Sequence, residues 1–193
     1  MTLWQDYIAD HPDHAVETPP VEPFGDSPEM ADELLALVIH GPKRATAGLV
    51  ADYAADKEPL PLIGDHWVVT DGSEHPIAVL RYVNVRIGRL DSVDEQFAWD
   101  EGEGDRTRDS WLAAHRPFAE RRCRAQGLAI PAEGVDALDT VFQRFTVVWP
   151  PETRRLSRDQ SGRPNARAAS STLSHLMRSP SSRSGCACDR ACL

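Results

Sequence analysis

Three groups of residues in this sequence have types and spacings that could do chemistry. The first is Gly41-x-Lys43-x-x-Thr46, directly after a helical pattern that stops at Gly41-Pro42. A lysine stripped of water by burial can serve as a base. Thr46, three residues on, offers a hydroxyl for such an amine to deprotonate, the nucleophile-plus-base logic of acyl transfer. The plain alternative is a helix-capping lysine and a strand threonine facing water. The second group is Asp100-Glu101-Gly102-Glu103-Gly104-Asp105, four acids and two glycines. Clustered carboxylates can bind Mg²⁺, or raise one another's pKa values to make a general acid or base. Equally, Asp105 can cap the helix that follows while the other acids favour its N-terminal dipole. The spacing is not that of an EF-hand loop. The third group is Trp111-x-x-x-His115, an i, i+4 pair on one helix face. It reads either as the wall of a pocket where a base stacks, or as a core tryptophan beside a satisfied histidine.

Basic residues complete the inventory. Arg44 adjoins Lys43, and Arg81 sits on a long strand where it can line a cleft. By strict alternation Arg86 faces the opposite side from Arg81. Arg121, Arg122 and Arg124 read as a solvated helix face. No P-loop, dinucleotide fingerprint, G-x-S-x-G or H-E-x-x-H occurs, so no cofactor is expected and no metal ligand is assigned.

These groups need elements to hold them. A short helical turn is expected over residues 3–9, then an irregular lead-in rich in Pro, Asp and His over 10–23. Ser27 as N-cap with Pro28 behind it predicts a helix over 28–40, stopped by Gly41-Pro42. Residues 43–52 read as a strand or a short helix, and 57–64, with Pro59 and Pro61, as a loop. Strands are predicted at 66–70, 77–87 and 141–149, with a hairpin signal at Asp71-Gly72. Helical patterns cover 90–100 and 107–126. A few strands with helices at one end indicate an α+β fold around a small curved sheet or barrel.

Composition narrows the function. Residues 1–150 carry 13 Lys+Arg and 27 Asp+Glu, a net of −14, whereas residues 151–193 carry 8 Arg and 3 acids. An acidic body does not attract polyanions over its whole surface, so binding to duplex DNA is not expected. Any nucleic acid or nucleotide would need a local basic cleft. No apolar run approaches the roughly 18–20 residues that span a bilayer, and no secretory signal is visible. Cys123 is unpartnered in the body, which fits a reducing, cytoplasmic setting. Cys186, Cys188 and Cys192 close a Ser/Arg-rich tail, residues 151–193, whose composition predicts disorder.

Taken together, residues 24–149 resemble the ASCH domain, of the PUA-like superfamily linked to RNA. The residues that carry this are Phe24-Gly25-Asp26-Ser27-Pro28, Gly41-Pro42-Lys43-Arg44-Ala45-Thr46, and Leu62-Ile63-Gly64-Asp65. To them are added Glu101-Gly102-Glu103-Gly104-Asp105-Arg106 with Trp111 and His115, and Phe142-Gln143-Arg144-Phe145. The resemblance implies a small curved β-barrel with flanking helices and a cleft lined by the G-x-K-x-x-T segment. With the composition, it divides the chain into a lead-in, 1–23, the ASCH domain, 24–150, and the tail, 151–193. One bacterial branch of the family removes the acetyl group from N4-acetylcytidine with a Lys, a Thr three residues later and a Glu on the helical segment after the long strand. Those roles fall on Lys43, Thr46 and Glu101. Another branch is reported as ribonucleases with a Lys in the same element. This chain departs from the minimal amidohydrolases in its lead-in, its enlarged helical segment near 106–126 and its basic tail.

The expectation is therefore a protein that binds a nucleoside or single-stranded RNA and hydrolyses an amide on a modified base. Lys43, Thr46 and Glu101 would be catalytic, with Arg44, Arg81, Glu103, Trp111 and His115 around the substrate. The rivals are a non-catalytic RNA-binding module, in which Lys43 and Arg44 meet phosphate and Trp111 stacks a base, and a ribonuclease. A metal-dependent nuclease built on Glu101, Glu103 and Asp105 ranks last.

Overall fold

The structure is a computed structural model that describes residues 2–151. The expectation of a disordered tail falls outside the described residues, Pro151 excepted. Helix α1 (Leu3–Asp10) is closed by a capping box, Thr2 accepting from the Gln5 amide and Gln5 reaching back to the Thr2 amide. A 3₁₀ turn (Pro12–His14) leads to the two-residue strand β1 (Val21–Glu22). Helix α2 (Pro28–His40) starts where expected, with the Ser27 hydroxyl accepting from the Met30 amide, and ends at Gly41. The ambiguous segment after it is both things at once: strand β2 (Ala45–Leu49) runs straight into helix α3 (Val50–Asp56). Strands β3 (His66–Thr70) and β4 (Pro76–Arg89) follow. Next come a 3₁₀ turn at Leu90–Ser92, helix α4 (Glu95–Glu101), helix α5 (Arg108–Gln126), a 3₁₀ turn at Val135–Ala137 and strand β5 (Asp139–Trp149).

The five strands form one sheet in the order β1-β3-β4-β5-β2, antiparallel except for the parallel β1–β3 pair. The fold class is α+β as expected. The sheet is curled, with β1 and β2 as its edges, and is not closed into a barrel. One face packs on α2 through Leu35, Val38, Trp67, Leu80, Tyr82 and Phe145. The other face carries two clusters. Phe97, Trp111, Leu112, Cys123 and Phe142 join α4 and α5 to β2 and β5. Tyr7 of α1 packs on Val68 and Val79 at the far end. Strand β3 is therefore buried throughout, its even and odd residues serving different cores.

The register shifts at several points of the sheet, and the one that matters for the arginines lies in the middle of β4. Tyr82 pairs with Phe145 but Asn84 pairs with Arg144, so Val83 is a bulge with no partner of its own. The extra residue shifts everything after it by one. Arg81, opposite Thr146, and Arg86, opposite Phe142, consequently share one face of the sheet. The expectation that they face opposite sides is thus corrected. The Arg86 guanidinium lies 4.0 Å from the centre of the Phe142 ring.

Candidate functional site

Lys43 lies between the end of α2 and the start of edge strand β2, and it is only 1% exposed. A charged side chain this deep must be paired. Its Nζ contacts the Glu103 carboxylate and lies 3.8 Å from Glu101 Oε1. Glu101, the last residue of α4, is also 1% exposed, and each of its oxygens has a separate duty. Oε1 faces Lys43, while Oε2 accepts from the Trp111 indole N–H and stands 3.5 Å from His115 Nε2. One turn apart on α5, the Trp111 and His115 rings stack at 3.7 Å with an interplanar angle of 9°. His115 Nδ1 is 2.9 Å from the Trp111 carbonyl oxygen, an acceptor, so Nδ1 carries a proton and Nε2 is directed at Glu101.

The electrostatics follow from this enclosure. Burial pushes the Glu101 carboxyl up. The charges of His115 and Lys43, with hydrogen bonds from His115 and Trp111, outweigh it and hold the carboxyl below the usual range. Burial likewise pushes His115 down. The neighbouring Glu101 and Glu103 carboxylates and the Trp111 carbonyl reverse that, leaving the imidazole above its ordinary value.

Two sequence elements meet at this point for a backbone reason. Gly102 has φ +77° as the left-handed C-cap of α4, and a Cβ there would come within 2.9 Å of the Lys43 amide nitrogen and the Pro42 carbonyl carbon. The Arg44 amide donates to the Asp100 carbonyl at 2.7 Å. The G-x-K-x-x-T segment and the E-G-E-G-D segment are therefore packed backbone against backbone. That contact seats Glu101 and Glu103 on Lys43.

Thr46 is where the same segment reaches open space. It pairs with Gln143 across β2–β5 and lines a pocket of about 200 Å³ together with Phe24, Tyr53, Trp67, Tyr82 and Gln143. Lys43 lies behind that wall, its Nζ 5.5 Å from the centre of the Phe24 ring. The Gln143 amide donates to the Tyr53 hydroxyl at 2.5 Å. Burial, with Glu22, Asp52 and Glu58 nearby, pushes the Tyr53 phenol up to about 12 against the hydrogen bond from Gln143. A larger groove of about 460 Å³ shares Glu22, Tyr53, Glu58 and Tyr82 with this pocket. Its other walls are Val16 to Pro20, the Glu58–Pro61 loop, Asp65 and His66. Burial, Glu58 and Asp56 all push the Glu22 carboxyl up. The combined lining is aromatic and acidic.

The structure thus gathers Lys43, Glu101, Glu103, Trp111 and His115 into one network, which meets the wall of the Thr46 pocket at Phe24, and sends the two arginines elsewhere. Arg44 donates to the Val38 and Lys43 carbonyls, capping the end of α2, and its burial lowers its affinity for a proton. Arg81 donates to the Gly64 carbonyl and, paired with Thr146, lies on the sheet face opposite Thr46. Trp111 is 5% exposed, with one face covered by His115 and Phe97 and Phe142 about it, so its ring is core. Asp105 turns away from the network and accepts from the Thr107 amide and hydroxyl. The pocket residues Glu22, Tyr53 and Gln143 were not singled out from sequence. They lie on three separate elements, and only the β2–β5 pairing with Tyr53 folded over it brings them to Thr46.

The ASCH domain family model matches residues 21–149. The chain belongs to the ASCH domain family. A crystal structure of an ASCH domain from Lactobacillus crispatus superposes with a TM-score of 0.65 at 27% identity, covering 75% of this chain and 91% of that one. A crystal structure of an Enterococcus faecalis protein gives 0.65 at 32% identity, covering 76% and 85%. No curated protein matches the chain. Among the described residues of this ASCH protein, no helix is long and apolar enough to cross a membrane.

Proposed function

We propose that this ASCH protein hydrolyses an amide on a modified nucleoside of the N4-acetylcytidine kind, bound in the pocket beside Thr46. The supporting observation is the buried Lys43, seated on two carboxylates with its Nζ 5.5 Å from the ring of Phe24, which lines the pocket together with Thr46. In this mechanism the Thr46 oxygen attacks the acyl carbonyl while its proton passes to the Lys43 amine. The tetrahedral intermediate collapses, the C–N bond breaks, and the leaving exocyclic amine takes up a proton. Water then cleaves the Thr46 ester, releasing acetate and restoring the hydroxyl.

Each neighbour has a part. Glu103 touches Lys43 and its side chain is 32% exposed, so it can relay the lysine's proton to water and ready the amine as base. Glu101 is sealed from the pocket and held by Trp111 and His115. It acts as a positioning residue, fixing the amine. The aromatic walls suit a planar base.

The acidic lining favours a small neutral substrate over a polyanion. Glu22, Glu58, Asp52, Asp56 and Asp65 line the pocket and groove, and Arg122, the basic residue of the pocket wall, is paired with Asp52 at 3.1 Å. The same lining opposes an RNA strand laid along the groove. A nuclease using Glu101, Glu103 and Asp105 has no support, because the first two hold Lys43 and the third is bonded to Thr107. The reading is tested by chromatography for cytidine after incubation with N4-acetylcytidine. Thr46→Ser is expected to keep turnover, and Thr46→Ala to lose it. Full turnover by Thr46→Ala would overturn the mechanism.

A further inference from the structure

Beyond the pocket, the lead-in and β3 bring two histidines and a carboxylate together. We propose that His14, Glu17 and His66 form a binding site for a divalent transition-metal ion, opening on the larger groove. This inference is independent of the amide chemistry above.

His14 Nδ1 lies 2.6 Å from Glu17 Oε1, and His66 Nδ1 lies 2.7 Å from Glu17 Oε2. One ligand atom from each of the three residues falls within 4.8 Å of the others. Two imidazoles and a carboxylate are the donor set of zinc and its neighbours, not of Ca²⁺ or Mg²⁺. Bonds of about 2.0–2.2 Å to one tetrahedral ion set such donors roughly 3.4 Å apart. Side-chain shifts of under about 1 Å at the two His–Glu contacts, with the remaining donors already within 4.8 Å, therefore bring the three onto one ion. The ion would take the place of the protons that now join the imidazoles to the carboxylate.

The arrangement is built beyond the three ligands. The His66 side chain is wholly buried, and its Nε2 is hydrogen-bonded to the Tyr7 hydroxyl at 3.0 Å. Tyr7 is itself 3% exposed and stacks on His11 at 4.3 Å. A partner on the far ring nitrogen is what orients a ligating histidine and sets which nitrogen faces the metal. His14 meets the His66 ring edge-on at 4.6 Å, so the two rings converge on the same carboxylate. Entry is open, because the His14 and Glu17 side chains are 26% and 35% exposed. Glu17 and His66 also line the groove of about 460 Å³. With three protein ligands, further coordination positions point into that groove, ready for water or a ligand oxygen. Because His14 and Glu17 belong to the lead-in and His66 to β3, the ion would also tie the lead-in to the sheet.

The test is titration of the full chain with Zn²⁺, and with Co²⁺ as a spectroscopic probe. Cys186, Cys188 and Cys192 are replaced by Ser so that thiolates do not compete. The expected result is one ion per chain and a Co²⁺ spectrum with d–d bands but no thiolate charge-transfer band. His14→Ala and Glu17→Gln should each weaken binding at least tenfold, and Tyr7→Phe by up to about tenfold through loss of the outer hydrogen bond. His14 sits on a partly exposed turn and Glu17→Gln keeps its shape, so metal-free melts of both variants confirm that the fold survives. Absence of saturable binding, or binding unchanged by His14→Ala and Glu17→Gln, would overturn the proposal.

Discussion

Glu101→Gln separates the electrostatics of the buried network from its shape. The amide keeps the size of the carboxylate and still offers an oxygen to the Trp111 indole N–H, so that donor is not orphaned. What disappears is the charge facing Lys43 at 3.8 Å and His115 at 3.5 Å. Removing one member of a buried pair costs about 3–5 kcal/mol, and since Glu103 stays on Lys43 the lower end, about 3 kcal/mol, is expected. At roughly 2–4 °C per kcal/mol for a domain of this size, the melting temperature should fall by about 6–12 °C. The pH dependence sharpens the test. His115 is held above its ordinary 6.5, so its contribution is complete below pH 6.5 and fades as pH rises through the folded value. Glu101 is held below its ordinary 4.5, so its contribution is present above 4.5 and fades as pH falls through the folded value. The gap between wild type and variant should thus be widest between those limits and narrow on either side. Calorimetric melts from acid to mildly alkaline pH read this directly. A gap under about 1 kcal/mol near pH 6, or one that does not vary with pH, would refute the reasoning.

Three further outcomes are expected. Trp111→Phe keeps the core ring but withdraws the indole donor from a buried carboxylate, and should cost about 1–3 kcal/mol in chemical denaturation. Gly102→Ala, at φ +77° and 2.9 Å from backbone atoms, should destabilise by more than about 1 kcal/mol; an unchanged melt would refute the backbone packing of the two motifs. Turnover of a neutral acetylated nucleoside should barely change between low and moderate salt, whereas a steep fall on a log–log plot would indicate phosphate contacts.

Much of this molecule is readable along the chain because its stops are chemical. Ser27-Pro28 and Gly41-Pro42 bracket α2 to the residue, and Trp111 and His115 share a helix face because their spacing is one turn. The buried Lys43 and its carboxylates are legible as motifs. Their contact depends on Gly102 lying against Pro42–Lys43, which spacing cannot show. The bulge at Val83 has no sequence mark, and it reverses the sidedness inferred for Arg86. Tyr7 looks like part of a loose lead-in, yet it is buried because β3 and β4 offer Val68 and Val79 some sixty and seventy residues away. Arg44 reads as a phosphate ligand until the last turn of α2 is seen to need its donors.

The central claim is that Lys43 works as a base, beyond its part as a buried cation. Lys43→Arg tests this most directly, because a guanidinium keeps the charge for Glu101 and Glu103 but does not give up its proton. The measurement is the rate of cytidine release from N4-acetylcytidine by wild type and variant, with melts to confirm that both are folded. The expected result is release by the wild type and a loss of about 10²–10⁴-fold in a folded Lys43→Arg protein. Equal rates, or no release by the wild type, would contradict the claim.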